Sequence, residues 1–182
     1  MFERAFFGLI RIILVEKIGL FFGSDTGCTE IVARMIRERL PNFDVKLYDV
    51  YDIDGSEILK YNNLIFGLST WHDGQLQSSW DAFYSKFFKL DLTGKTVALF
   101  GMGDQYGYGT YFCDGIGIIG EIAKKNGAKI IGHWPNEGYE HDESKAEIDE
   151  NTFIGLCLDD DNQDELTEER VDVWVRQIIE EF

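Results

Sequence analysis

Gly23-Ser24-Asp25-Thr26-Gly27-Cys28-Thr29 is the stretch around which the rest of the chain is organised. An apolar run, Ile18-Gly19-Leu20-Phe21-Phe22, leads into it, and a helical pattern from Glu30 to Leu40 leads out. A buried strand that ends in a Gly/Ser/Thr loop and opens a helix is a place to hold an anion. Backbone N–H groups converge there, the hydroxyls of Ser24, Thr26 and Thr29 can donate, and the helix N-terminus is partly positive. The loop matches neither a Walker loop nor a dinucleotide fingerprint. Gly23 and Gly27 have three residues between them, Cys28 stands where a Walker Lys would be, and Gly-x-Gly-x-x-Gly spacing is missing. With no Lys or Arg in it, the loop suits one phosphate monoester held by neutral donors.

Outward from the loop, strands and helices alternate. The pattern predicts strands over 17–22, 44–49, 63–69 and 95–101, and a fifth beginning near Lys129-Ile130-Ile131. It predicts helices over 28–40, 55–60, 77–88, 112–126 and 167–181. The first helix puts Ile31, Val32, Met35, Ile36 and Leu40 on one face; the last puts Val171, Trp174, Val175, Ile178 and Phe182 on one stripe. Leu64-Ile65-Phe66-Gly67-Leu68 is apolar on both faces, as a strand covered from both sides requires. The expected fold is therefore α/β, a doubly wound five-stranded parallel sheet in the order 2-1-3-4-5. In that order a ligand sits at the carboxyl ends of strands one and three, where the direction of winding reverses. Three loops should meet there: Gly23–Thr29, Ser69–Gln75 and Gly101–Tyr111.

One stretch interrupts the pattern. His133 to Thr152 is polar and acidic, and it separates Ile130-Ile131 from Phe153-Ile154-Gly155-Leu156. The simplest reading is one edge strand interrupted by a loop of about twenty residues, a length that usually signals function.

The chain has 182 residues, 45% of them hydrophobic, which suits one domain with a full core. Net charge is −16, from 33 acids against 17 bases. That balance excludes nucleic acid and anionic membrane as partners and favours basic-faced proteins. Cys28, Cys113 and Cys157 form no close pair, which suggests a reducing, cytoplasmic setting. His72, His133 and His141 show no metal-ligand spacing, and no metal is expected. Met1 to Glu16 is rich in Phe, Leu and Ile, but Arg11 breaks it, no cleavage site follows, and it is too short to span a bilayer. It reads as an extension not needed by the fold, with an amphipathic anchor as the other reading. Residues 17–182 then form the single domain.

The second and third loops carry large aromatics among glycines. One reads Ser69-Thr70-Trp71-His72-Asp73-Gly74, the other Gly101-Met102-Gly103-Asp104-Gln105-Tyr106-Gly107-Tyr108-Gly109. A planar ligand can lie between Trp71 and a tyrosine, with Tyr108 the best placed. A phosphate cradle with two aromatic walls implies a flat ring on a phosphorylated tail. FMN fits better than a dinucleotide, because one phosphate site is visible.

At this point the sequence resembles the flavodoxins, specifically the long-chain type. The resemblance runs from about Lys17 to Phe182. It is carried by Gly-Ser-Asp-Thr-Gly-Cys-Thr-Glu at 23–30, Ser-Thr-Trp-His-Asp-Gly-Gln-Leu-Gln at 69–77, Phe-Gly-Met-Gly-Asp-Gln-Tyr-Gly-Tyr at 100–108 and Gly-Leu-Cys-Leu-Asp-Asp-Asp-Asn-Gln at 155–163. The resemblance implies a non-covalent FMN carrier, monomeric and not an enzyme. By position, Ser24, Asp25, Thr26, Gly27, Cys28 and Thr29 would hold the phosphate. Thr70, Trp71, His72 and Gly74 would line one side of the isoalloxazine, and Gly103, Asp104 and Tyr108 the other, with Asp161 near the ribityl chain. Three features depart from the family pattern: Cys28 in the phosphate loop, His72 where Asn or Gly is usual, and the N-terminal extension.

The resemblance further implies low-potential one-electron transfer, shuttling between semiquinone and hydroquinone. Aromatic walls would exclude water from the anionic reduced ring, and nearby carboxylates would repel it. A few kcal/mol of such destabilisation lowers the second potential by about 0.1–0.2 V. A protonated His72 would act in the opposite sense. The expected partners are basic-faced redox proteins, such as a flavodoxin/ferredoxin reductase, and low-potential oxidoreductases. The alternative on the same fold is an FMN-dependent NAD(P)H:quinone reductase, for which two covered ring faces leave little room.

Overall fold

Three central segments of this chain alternate their side chains between two cores, and that alternation sets the layers. In β1 (Lys17–Phe22), Ile18, Leu20 and Phe22 face one core and Phe21 the other. In β3 (Asn63–Trp71), Leu64, Phe66 and Leu68 face the side opposite to Ile65. In β5 (Thr96–Met102), Val97 and Leu99 oppose Ala98, Phe100 and Met102. One core is closed by α1 (Cys28–Glu38) and α5 (Asp164–Glu181), the other by α3 (Ser78–Phe87) and α4 (Asp114–Lys125). The short β2 (Asp44–Asp49) and α2 (Ser56–Leu59) lie between β1 and β3 in the chain. This computed structural model describes residues 15–182. The extension expected over residues 1–16 therefore lies, apart from Val15 and Glu16, outside the described residues.

The sheet runs β2-β1-β3-β5, all parallel, and the fifth position is shared. There β6 (Lys129–Ile131) pairs with Thr96 to Ala98, and β10 (Leu156–Leu158) pairs with Phe100 to Met102, both parallel to β5. The expected order holds, and the fifth strand is indeed one edge broken in the middle. Residues 132–155 loop out between its halves. They build a small antiparallel sheet of their own, ordered β7 (Trp134–Pro135), β9 (Thr152–Phe153), β8 (Glu147–Asp149).

Two of the boundaries that differ from the periodicity bear on the site, while α1 ends at Glu38 and α4 begins at Asp114, each two residues inside its expected range. The chain expected to loop from Ser69 continues as strand to Trp71, then turns back into β4 (Gln75–Leu76), pairing Thr70 with Leu76 and Trp71 with Gln75. His72 and Gly74 make the reversal with φ of 47° and 80°. The final helix starts at Asp164 rather than Thr167, because Asp164 and Glu165 suit the positive end of a helix.

Candidate functional site

The loop after β1 leaves the sheet through a narrow gap. Gly23 N–H donates to the Gly67 carbonyl at 3.1 Å, and the Trp80 indole donates to the same oxygen at 3.0 Å. A Cβ at Gly23 would lie 2.8 Å from Trp80 Cδ1, so only glycine passes. Gly27 N–H donates to Ser24 Oγ at 3.0 Å and closes the loop. Gly27 itself, at φ 95°, delivers the chain into α1. No side chain caps that helix, so its first N–H groups are left for something else.

Thr26, Cys28 and Thr29 at this helix end border a cavity of about 400 Å³. The β3 hairpin forms one wall, with Ser69, Thr70, Trp71 and His72. The Trp71 indole donates to Ser69 Oγ at 2.9 Å, which pins the ring. Met102 at the end of β5, with Gly103, Asp104, Tyr108 and Tyr111 beyond it, forms the other wall. Tyr108 is 50% exposed. Asp160 and Asp161, following β10, complete the lining, which contains no Lys or Arg.

A polar network fixes the second wall. Asp104 accepts from the N–H groups of Gly107 at 2.7 Å and Tyr106 at 3.0 Å, and from Asn162 Nδ2 at 2.9 Å. The Gly107 N–H is the main reason its carboxyl sits below the usual range; desolvation opposes it next, and Asn162 and Tyr106 add to the lowering. Asp159, fully buried, accepts from the backbone and side-chain amides of Gln105 and from Asn162. Gln105 in turn accepts the Glu140 N–H at 2.7 Å. Asp161 goes the other way: partial burial first, then the charges of Asp104, Asp159 and Asp160, push its carboxyl up.

The cavity brings together Thr26, Cys28, Thr29, Thr70, Trp71, His72, Gly103, Asp104, Tyr108 and Asp161 of the expected residues. Ser24 and Gly27 stand behind this surface as the loop's internal bond. Asp25 turns away toward α3, where Gln77 Nε2 and the Ser78 hydroxyl donate to it, and it borders a second, outer hollow with Trp71, His72 and Asp81. Gly74 is buried beneath the hairpin against Asp114 and Tyr111. Ser69, Met102, Tyr111 and Asp160 line the cavity without having been singled out. Each lies within or beside a stretch that was.

The fold and site define a class: a doubly wound domain whose switch point offers a phosphate-sized helix end between two aromatic walls. The flavodoxin family profile matches residues 20–174. A flavodoxin of Haemophilus influenzae is 44% identical over 165 residues, covering 91% of this chain and 95% of that one. Flavodoxin 1 of Escherichia coli is 45% identical over 164 residues, 90% of this chain and 93% of its own. The crystal structure of Fusobacterium nucleatum flavodoxin bound to flavin mononucleotide superposes with a TM-score of 0.87 at 34% identity, covering 92% of this chain and 99% of that one. The chain belongs to the flavodoxin family.

Proposed function

We propose that this chain is an electron carrier that binds FMN non-covalently and hands single electrons at low potential to and from redox enzymes. The observation that carries the reading is the cavity itself. It has an uncapped helix end with hydroxyls on one side, Trp71 and Tyr108 on opposing walls, and no Lys or Arg in its lining. The residues fit the group. Neutral donors at Thr26 and Thr29 suit a phosphate dianion at a helix N-terminus, and a volume of about 400 Å³ is within the range of small-molecule sites.

In this reading Ser24 to Thr29 hold the phosphate, with Asp25 bracing the loop from outside. Thr70, Trp71, His72 and Gly74 build one ring wall; Gly103, Asp104 and Tyr108 build the other; Asp161 lies along the tail. The bound flavin supplies the electron chemistry. The protein's residues exclude water from it and surround it with carboxylates, which disfavours added negative charge. Acidic surface, from a net charge of −16, steers basic-faced reductases and low-potential oxidoreductases. We place the carrier in the cytoplasm as a monomer. Among the described residues no helix is long and apolar enough to cross a membrane.

Anaerobic potentiometric titration of the FMN-loaded protein tests this. Two well-separated one-electron waves, the second much lower, are expected. A single two-electron wave with rapid oxidation of a nicotinamide would overturn the reading.

A further inference from the structure

Between Glu137 and Glu169 there are 14 Asp and Glu and a single Lys or Arg, Lys145. That lone cation is committed to one carboxylate. Its Nζ pairs with Asp114, and its backbone N–H donates to the same side chain at 2.7 Å. Asp114 opens α4, and its side chain is 2% exposed against 56% for Lys145.

The buried carboxylate touches the hairpin that forms the first cavity wall. A Cβ at Gly74 would lie 2.5 Å from Asp114 Oδ2, 3.0 Å from Tyr111 Cδ1 and 3.2 Å from Lys145 Nζ. One residue along α4, Gly115 N–H donates to Thr70 Oγ1 at 3.0 Å. The start of α4 therefore holds both limbs of the hairpin, before Trp71 and after His72. The segment around Lys145 is itself fastened to the other wall. Asp142 and Glu143 donate their N–H groups to the Gly109 carbonyl at 3.0 and 3.1 Å, and the Ser144 hydroxyl donates to the Phe112 carbonyl.

We propose that Lys145 is a positioning residue for the cavity: through Asp114 it seats the 70–74 hairpin, and so places Trp71 for the ring it is to stack on. The inserted segment thereby reaches the site without lining it. The inference rests on the FMN reading above. Its physical basis is preorganisation. His72 and Gly74 both hold left-handed φ, so the turn has few other shapes of similar energy. A turn held in its binding shape spares the ligand the cost of ordering it. Without the Lys145 ammonium, Asp114 keeps a backbone N–H and the helix end. It then holds uncompensated charge against the Gly74 turn.

The test uses apoprotein of the full chain. FMN is titrated by quenching of indole fluorescence into wild type, Lys145→Met, Lys145→Arg, Asp114→Asn and the control Lys124→Met, which breaks only an outer pair with Glu121. Lys145→Met is expected to raise Kd about tenfold, with Arg recovering most of the loss. Asp114→Asn should weaken binding comparably, and the double variant Lys145→Met/Asp114→Asn no further. Urea unfolding of each apoprotein separates lost stability from lost binding. Wild-type affinity in folded Lys145→Met would overturn the proposal whatever Asp114→Asn does, as would an equal loss in Lys124→Met. A wild-type apoprotein that takes up no FMN would overturn the carrier reading and this inference with it. If Lys145→Met does not fold, Asp114→Asn decides.

Discussion

Gln77 Nε2 donates to Asp25 Oδ1 at 2.9 Å, while Gln77 Oε1 accepts the N–H groups of Ser79 and Trp80. One fully buried amide thus caps α3 and tethers the loop after β1. Gln77→Ala removes all three bonds and leaves two helix N–H groups unpaired. It should cost about 1–3 kcal/mol of stability, read as a lowered urea midpoint at unchanged slope. Weaker FMN binding should accompany it, because Asp25 no longer holds the loop.

Asp104 and Asp161 titrate with opposite signs. Asp104 is depressed in the fold, so its contribution is present above the ordinary carboxylate pKa near 3.8 and is lost as pH falls through its folded value. Acid should therefore loosen the Asp104–Tyr108 turn, seen as FMN release only once pH is below 3.8. Asp161 is raised, so it costs stability once pH climbs past its folded value. Asp161→Asn should gain about 0.3 kcal/mol at pH 7, after solvent screening, and nothing near pH 3. It should also raise the lower flavin potential by about 20 mV, measured by spectroelectrochemistry.

Trp71 is pinned by Ser69, whereas Tyr108 is half exposed. Trp71→Ala and Tyr108→Ala should each weaken FMN binding by about 1–2 kcal/mol, roughly tenfold in Kd. Tyr108→Phe keeps the ring and should change Kd by less than about twofold. Equal losses in Tyr108→Phe and Tyr108→Ala would show that the hydroxyl, not the ring face, matters.

Electron transfer with a basic-faced reductase should slow as ionic strength rises, because a charge of −16 steers encounter over about a Debye length. Stopped-flow rates from low to about 0.5 M salt measure this, and a flat profile would exclude electrostatic docking.

The sheet was legible because its signal is local. Leu64 to Leu68 is apolar on both faces, and the gap between Ile131 and Leu156 marks a broken edge that β5 then pairs along both halves. The loop after β1 was legible for the same reason, since Gly23 and Gly27 sit at a strand-to-helix step. What composition could not show is direction. Asp25 lies inside the loop motif yet points to Gln77, and Gly74 lies inside the hairpin motif yet packs beneath it on Asp114. Those placements depend on contacts made across 52 and 40 positions of chain, which no window of sequence contains. The insert's three strands, two or three residues each, are too short to register as a pattern.

The split edge strand also has a consequence for the order of assembly. β6 follows α4 directly and can add to β5 as soon as that helix docks. β10 must first close a detour of about two dozen residues, an entropic toll of roughly 3 kcal/mol before any pairing is gained. The segment that brings Asp160 and Asp161 to the cavity is therefore the costliest piece of sheet to place. Folding kinetics should find it late, with the pocket completed only at the final step.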